Sequence, residues 1–192
     1  IRTGDIDLFD SLIENINKET CLISAGESSI SHPTQGLLDL LSIKQSKGSF
    51  ENLRIAIMGD IRHSRVAKSL AEGLSIMNTG KVVLISPEEF RPDMNEFPGT
   101  EYVADPIRGL NDCDVVVTLR VQKERIESHE NGMSLEDYAE KYQLTIDKLE
   151  LCKPDAIVMH PGPMNRGVEI SNEVADGKQS VILKQVENGV AI

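Results

Sequence analysis

The chain contains few cysteines and no paired cysteine motif. Its three cysteines, Cys21, Cys113 and Cys152, are odd in number, widely spaced and without a CxxC pair. A disulfide framework needs an even number of thiols and a zinc knuckle needs closely spaced ones, so neither is indicated. A reducing compartment, the cytoplasm, fits these cysteines best.

Positive charge is also scarce. Lys and Arg number 20 against 31 Asp and Glu, which gives a net charge of -11. Nucleic acids and anionic membranes attract clustered Lys and Arg, so this balance argues against both as general partners. No apolar run approaches the length of a membrane span, and the first residues do not have the layout of a secretory signal. The sequence therefore predicts a soluble globular protein.

Short apolar, β-branched segments recur along the chain between Gly, Asp and Pro residues. Such segments are typical of the buried strands of a parallel sheet. We predict strands at Cys21–Ser24, Arg54–Met58, Val82–Ile85, Val115–Thr118 and Ala156–Met159. The region 90–104 carries neither a clear helix pattern nor a clear strand pattern.

Helical patterns fill the gaps between these strands. One apolar stripe consists of Thr34, Leu37, Leu38 and Leu41, and a second runs from Val66 to Met77. The alternation of strands and helices predicts an α/β fold with a doubly wound parallel sheet. The polar stretch Gln45–Ser49, which contains Gly48, is predicted to be a linker.

The first unusual strand end is the segment SAGESSISHPTQ. Ligands of open parallel sheets bind beyond the carboxyl ends of the strands, so such segments are where a site is expected. Pro33 keeps His32 out of the helical region and suits a first helical turn, which puts His32 and Gln35 at a helix N-terminus beside free N–H groups. That rim suits an anion. A capping or packing role for His32 is the alternative.

The second strand end is GDIRHSR. Gly59 allows a sharp turn, after which Arg62 and Arg65 lie three residues apart at a helix start, where the helix dipole disfavours cations. Their position indicates an anion between them, with two solvated surface arginines as the alternative. The motif GxGxxG is absent from this turn, which excludes a dinucleotide fingerprint.

Two further strand ends complete the pattern. In LRVQKER, Arg120 and Gln122 share one side if the strand persists, which suits a carboxylate ligand, while a salt bridge is the alternative for Arg125. In HPGPMNRGVEI, Pro161 and Gly162 lie in a rigid loop whose backbone carbonyls are left as acceptors for a ligand with N–H groups. The alternative is that this loop is only a stiff connection.

Together these segments predict a crevice lined by arginines, His32 and Gln35 with few acids, which describes a binder of small polyanions. No Ser/His/Asp or Cys/His arrangement can be assigned, and no HxxxH motif or carboxylate cluster indicates a metal.

The motifs HPTQ, GDIRHSR, RVQKER and HPGPMNRGVEI, in this order and spacing, resemble those of the aspartate carbamoyltransferase family. The sister family of ornithine carbamoyltransferases typically carries an asparagine-rich turn in place of GDIRHSR and HCLP in place of HPGP. The resemblance implies transfer of the carbamoyl group of carbamoyl phosphate to L-aspartate, giving N-carbamoyl-L-aspartate and phosphate in pyrimidine biosynthesis, without a cofactor.

The resemblance also implies roles for individual residues. The catalytic pair would be His32, which donates to the carbonyl oxygen, and Arg2, which contacts that oxygen and the phosphate. Carbamoyl phosphate would also contact Gln35 and the loop of Pro161 and Gly162. Aspartate would be bound by Arg65 at its α-carboxylate and by Arg120 and Gln122 at its β-carboxylate.

Two parts of the family pattern are absent from this sequence. The family's Ser-Thr-Arg-Thr phosphate segment lies upstream of the position of Arg2, and its C-terminal helix would follow the last residues. We therefore expect a fragment that is inactive alone. Residues 1–46 would be the C-terminal part of the carbamoyl-phosphate-binding domain, a remnant of a second α/β domain, and residues 47–192 the aspartate-binding domain.

The resemblance bears on partners and alternatives as well. The family forms catalytic homotrimers whose sites borrow a loop from a neighbour, and a regulatory chain or a dihydroorotase stays open as a further partner. A non-catalytic scaffold that keeps the fold is one alternative, although it has no physical need for this set of contact residues. Ornithine as the acceptor is a second alternative, which is disfavoured because a cationic side chain would face Arg120.

Overall fold

The structure is a computed structural model that describes residues 1–26, 30–121 and 133–192, with the backbone alone for Ile6 and Phe9. The strands are β1 (Arg54–Met58), β2 (Lys81–Ile85), β3 (Glu101–Val103), β4 (Val115–Thr118) and β5 (Ile157–Met159). The α-helices are α1 (Ile6–Asn15), α2 (Pro33–Lys47), α3 (Arg65–Ile76), α4 (Pro106–Leu110), α5 (Leu135–Tyr142), α6 (Ile146–Leu149), α7 (Asn172–Ala175) and α8 (Ile182–Ala191). Short 3-10 helices cover Glu88–Phe90 and Met94–Glu96.

The five strands form one parallel sheet in the order β3-β2-β1-β4-β5. From β1 the chain first moves outward through β2 to β3, and then returns to the other side of β1 to add β4 and β5. This order is that of a doubly wound sheet, so the predicted α/β fold class is confirmed. Within the described part of the chain, no helix combines the length and the apolar character needed to cross a bilayer.

Alternate residues of the strands point into two separate cores, as the two-residue repeat of a strand requires. Ala56 and Met58 belong to one core, whereas Ile55 and Ile57 belong to the other. Helix residues that close the first core are Leu110, Tyr138, Leu149 and Val174, and those that close the second are Ile43, Ala67, Leu70 and Leu74. Helices therefore cover both faces of the sheet.

Four of the five predicted strands are confirmed. The bounds of β1 and β4 coincide with the prediction, while β2 begins one residue earlier, at Lys81, and β5 one residue later, at Ile157. β3 escapes prediction because it has three residues and begins with a charged one, Glu101, at the edge of the sheet.

The predicted strand at Cys21–Ser24 is wrong. This stretch belongs to no strand and instead lies beside the first residues of the chain. The Ile1 amino group donates to the Ile23 carbonyl (2.6 Å), and Ala25 N–H donates to the Ile1 carbonyl (2.7 Å). Ile23 is 66% exposed, so the apolar residues of this segment do not mark a buried face.

Helix α2 buries a different face from the predicted one. Leu37, in the predicted stripe, is 53% exposed. The buried residues are Gly36, Asp39, Ser42 and Ile43. The helix packs against α3 and α8, and its most buried face is thus largely polar, while Leu38 and Leu41 of the predicted stripe are only partly buried.

The predicted linker at Gln45–Ser49 is largely helical. α2 continues through Lys47, and Gly48, with a φ of +76°, forms its C-cap. Glycine is suited to this end because the left-handed region costs it no side-chain clash. The glycine therefore marks the end of a helix and not a flexible connection.

Candidate active site

The carboxyl ends of β1 and β4 lie side by side at the centre of the sheet. The connections of the two strands diverge here, which opens a crevice at the switch in strand order. Gly59 follows β1 with a φ of +133°, and a Cβ at this position would lie 2.8 Å from the carbonyl oxygen of Leu119. Glycine is thus required where the two turns approach each other.

A cavity of about 620 Å³ occupies this crevice. Five separate segments of the chain line it, with the residues Arg2, Gly4, His32, Gln35, Asp60, His63, Ser64, Arg65, Val66, Leu119, Arg120, Pro161, Gly162 and Pro163. The structure therefore brings together seven predicted site residues: Arg2, His32, Gln35, Arg65, Arg120, Pro161 and Gly162. The remaining one, Gln122, lies outside the described residues.

His32 is the N-cap of α2, with Pro33 as the first helical residue. Its φ of -140° is outside the helical region, as the following proline requires. Its Nδ1 accepts a hydrogen bond from the backbone N–H of Gln35 (3.3 Å), and its own backbone N–H donates to Oγ of Ser69 on α3 (2.9 Å). The ring is thus held by the helix that it begins, and the backbone of His32 by the neighbouring helix.

These contacts determine what His32 offers to the cavity. Because Nδ1 accepts a backbone N–H, the proton of the neutral ring lies on Nε2. Burial lowers the pKa of His32, and the positive charges of Arg65 and Arg2 lower it further. The side chain is therefore a neutral imidazole near pH 7 with an Nε2–H donor.

Arg65 is the first residue of α3, after the N-cap Ser64. Its guanidinium packs on the backbone of Gly26, where a Cβ would lie 3.2 Å from its Cζ. Burial lowers the pKa of Arg65, and the nearby Arg2 lowers it further, although a guanidinium stays protonated. Two like charges held close together in this way create a strong site for an anion.

The other two arginines of the predicted turns behave differently from each other. Arg120 lines the cavity, but β4 ends at Thr118, so the strand does not persist to Arg120 as the prediction of a shared side with Gln122 assumed. Arg62 is exposed and does not line the cavity. The alternative of a solvated surface arginine therefore holds for Arg62, and it is Arg2 that lies near Arg65.

Among the described residues that line the cavity, Asp60 is the acidic one, and it is hydrogen-bonded to His63. Its Oδ1 accepts hydrogen bonds from the backbone N–H (3.3 Å) and from Nδ1 (2.7 Å) of His63. Asp60 is 2% exposed. Among the lining residues that the structure describes, three arginines thus stand against one carboxylate, which agrees with a polyanionic ligand.

The loop after β5 is folded by its own side chains. His160 Nδ1 accepts the backbone N–H of Gly162 (2.9 Å), which leaves Nε2–H to donate to Oε1 of Glu169 (3.1 Å). Nδ2 of Asn165 donates to the carbonyl of Val121 (2.9 Å), which ties the loop to the end of β4. Pro161 and Gly162 are thereby presented to the cavity on a fixed backbone.

This geometry can be set beside that of known proteins. A sequence profile described as the Asp/Orn binding domain of aspartate/ornithine carbamoyltransferase matches residues 51–192. This chain belongs to that family. The match covers the whole sheet and the segments after β1, β4 and β5 that line the cavity.

Individual relatives support the assignment to the carbamoyltransferases. The chain is 47% identical over 175 residues to the aspartate carbamoyltransferase catalytic subunit of Ruthia magnifica subsp. Calyptogena magnifica, which covers 91% of this chain and 54% of that protein. A crystal structure of aspartate transcarbamoylase from Trypanosoma cruzi, in complex with carbamoyl aspartate and phosphate, matches 98% of this chain and 61% of that one, with a TM-score of 0.83 and 25% identity.

The ornithine branch of the family is also similar in structure. Ornithine carbamoyltransferase from Pyrococcus furiosus matches 88% of this chain and 55% of its own, with a TM-score of 0.75 and 26% identity. The chain spans about half the length of the curated relatives it matches.

Several residues at or beside the cavity were not predicted as site residues, among them Gly26, Asp60 and His63. Asp60 and His63 carry a signal, because an Asp three residues before a His after a strand is the spacing of a side chain that accepts the backbone N–H of a turn. Gly26 carries none, since its neighbour Arg65 is distant in the sequence.

Proposed function

We propose that this chain is part of an aspartate carbamoyltransferase, and that it supplies the aspartate-binding domain and one wall of the carbamoyl phosphate site. The complete enzyme transfers the carbamoyl group of carbamoyl phosphate to L-aspartate in de novo pyrimidine biosynthesis. The family membership and the 47% identity to catalytic subunits of this enzyme support the proposal.

The observation that carries the proposal is the pairing of His32 and Gln35 at the start of α2. His32 offers an Nε2–H donor, and the Gln35 side chain offers an amide one helical turn away beside the same cavity. A carbamoyl group presents a carbonyl oxygen and an NH2 group side by side. A donor next to an acceptor is complementary to that group, whereas a carboxylate would use only the donor.

The arginines provide for the charges of the two substrates. Arg2, beside Arg65, would bind the phosphate and the carbonyl oxygen, Arg65 the α-carboxylate of aspartate, and Arg120 with Gln122 the β-carboxylate. Both substrates are anions that repel each other, and fixed guanidinium groups neutralise and orient them. Pro161 and Gly162 would place backbone acceptors at the carbamoyl NH2 group.

The reaction follows from these contacts. The amino nitrogen of aspartate attacks the carbamoyl carbon, and negative charge develops on the carbonyl oxygen, where the Nε2–H of His32 and Arg2 stabilise it. One such donor is worth roughly 10²–10³-fold in rate. The bond from carbon to the phosphate oxygen then breaks with its electron pair, and the departing phosphate takes the proton that the nitrogen loses.

The charge of the cavity indicates which amino acid accepts the carbamoyl group. A cavity with three arginines favours the dicarboxylate aspartate, since the cationic side chain of ornithine would lie near a guanidinium. The similarity to ornithine carbamoyltransferases is in the fold, so it does not favour ornithine.

We also propose how this chain is arranged in the enzyme. Residues 1–46 belong to the carbamoyl-phosphate-binding domain and residues 47–192 to the aspartate-binding domain. The enzyme is a cytoplasmic homotrimer, as the family resemblance implies.

The proposal is tested with the full-length chain that contains this sequence. Formation of carbamoyl aspartate from carbamoyl phosphate is measured with aspartate and with ornithine as acceptors. Arg120→Ala should raise the KM for aspartate about 10–100-fold, because a charge-assisted hydrogen bond is worth about 1.5–3 kcal/mol. Arg62→Ala, which changes an exposed arginine of the neighbouring turn, should leave it unchanged. Turnover with ornithine alone, or no turnover, would refute the proposal.

A further inference from the structure

Asp39 is a fully buried acid on α2 that does not line the cavity. Its Oδ1 accepts two side-chain amides, from Nε2 of Gln35 (2.9 Å) and from Nε2 of Gln185 on α8 (2.8 Å). Its Oδ2 has no hydrogen-bond partner among the residues that the structure describes. Burying a half-satisfied carboxyl costs free energy, and packing alone would be served as well by an apolar residue of this size.

The direction of the Gln185 amide is fixed from the end of β5. Oε1 of Gln185 accepts the backbone N–H of His160 (2.9 Å), a group that can only donate. The other end of this amide, Nε2, must therefore face Asp39. Position 39 is thus required to accept a hydrogen bond.

The direction of the Gln35 amide is fixed in turn by Asp39. Its Nε2 is used by the carboxyl of Asp39, and Gln35 lines the cavity, so Oε1 is the end of the amide that is left for a ligand. An amide that is free to turn would offer its NH2 group to the cavity as readily as its oxygen.

We infer that Asp39 is a positioning residue, whose carboxyl holds the Gln35 side chain so that Oε1 is directed at the NH2 group of the carbamoyl donor. Asp39 touches no substrate and acts through Gln35. The inference rests on the proposed function, because the acceptor at Gln35 matters only if the ligand presents N–H groups there.

The test compares two substitutions in the full-length enzyme. Asp39→Leu is similar in size but removes the acceptor, and should raise the KM for carbamoyl phosphate about 10-fold, the effect of one net hydrogen bond. Asp39→Asn keeps an oxygen for both amides and should restore the KM to within about 2-fold of the wild type. The KM for aspartate should stay nearly constant in both variants.

A double-mutant cycle separates positioning from packing. If Asp39 acts through Gln35, Asp39→Leu should have no further effect on the KM for carbamoyl phosphate in a Gln35→Ala background. An equal effect in both backgrounds, or an Asp39→Asn variant as impaired as Asp39→Leu, would overturn the inference. If Asp39→Leu does not fold, Asp39→Ala takes its place in the same cycle.

The outcome also separates the two proposals. A wild-type enzyme that does not form carbamoyl aspartate refutes the proposed function before any variant is compared. A wild-type enzyme that is active but shows no coupling between positions 39 and 35 refutes only the role of Asp39.

Discussion

His32 and Gln35 stand side by side in the cavity, yet their hydrogen-bonding ends are chosen in different ways. The proton of His32 is placed by the helix that it caps, through the backbone N–H of Gln35. The amide of Gln35 is placed by Asp39 and, through it, by Gln185 of α8. The proton position of His32 depends only on residues within the motif HPTQ. The direction of the Gln35 amide depends on packing between segments that are distant in the sequence.

The same distinction explains which site residues could be predicted. Arg65 follows the end of β1 in a recognisable motif, so its place beside the crevice could be expected from the order of the strands. Gln35 was placed at a helix N-terminus by the motif HPTQ, although the stretch before it is not a strand. Asp39 and Gln185 carry no motif, because their meaning lies in a contact between positions 146 residues apart. Arg62 lies three residues before Arg65 but is exposed and outside the cavity, because spacing alone does not say which side of a turn faces the cavity.

The stability of the protein should depend on pH through Asp39. Burial raises the pKa of this carboxyl from 3.8 to about 7, against the lowering effect of the hydrogen bonds from Gln185 and Gln35. The folded state therefore binds a proton that the unfolded state has released, and the free energy of unfolding falls as pH rises from about 4 to about 7. Asp39→Asn should remove this dependence, a difference of at most about 4 kcal/mol by pH 8.

Denaturant unfolding of the full-length protein between pH 5 and pH 8 measures this effect. Asp155→Asn is the matched control, because its exposed carboxyl pairs with Lys47, which lowers the pKa of Asp155. A lowered pKa adds stability above the unfolded-state pKa and loses it only in acid, so this variant should keep the wild-type slope above pH 5. An unchanged slope in Asp39→Asn would contradict the prediction.

Among the secondary-structure elements, the central strands were the easiest to predict. β1 and β4 are buried on both faces, so Ile57, Val116 and their neighbours form continuous apolar runs. An edge strand such as β3 has no such run. The stretch 21–24 has the apolar composition of a strand, but composition does not show whether a partner strand lies beside it.

The turns between elements should tolerate substitutions less well than the helices and strands do, and Gly59 is the clearest case. Gly59→Ala would bring a Cβ against Leu119, and its φ of +133° disfavours a side chain. We expect a loss of stability of about 2–4 kcal/mol and a raised KM for aspartate, because Leu119 precedes Arg120.

Gly99 provides the matched control for Gly59. Its φ is +78°, but a Cβ there would meet no atom within 4 Å. Gly99→Ala should therefore cost only the backbone strain, about 1 kcal/mol, and leave the KM for aspartate unchanged. Thermal unfolding and steady-state kinetics of both variants test this prediction. Equal losses of stability in the two variants would show that the close approach to Leu119 does not cause the loss in Gly59→Ala.

In the molecule as a whole, α2 and α8 meet along a seam closed by polar side chains. Asp39 accepts from Gln185, and Nδ2 of Asn188 donates to Oγ of Ser42 (2.9 Å) and Oε1 of Gln45 (3.1 Å). By the proposed domain boundary, this seam joins the two domains. Its specificity comes from matched donors and acceptors, which apolar packing would not provide.

Asn188→Leu should weaken this seam. The substitution leaves the buried Ser42 hydroxyl without its donor, whereas the exposed Gln45 can bond to water, and we expect the free energy of unfolding to fall by about 1–3 kcal/mol. Glu187→Gln, which changes the exposed residue just before Asn188, should have little effect on the free energy of unfolding. Denaturant unfolding of the two variants checks this, and equal stabilities would contradict a structural role for the seam.

For a protein engineer, the row of hydrogen bonds from the His160 backbone through Gln185 and Asp39 to Gln35 is a means of changing ligand preference from a distance. Each group in the row has one permitted direction, since it begins at a backbone N–H. Without an acceptor at position 39, the Gln35 amide would be free to turn, and the cavity would lose its preference for a carboxamide over a carboxylate. No residue that touches the ligand would need to be replaced.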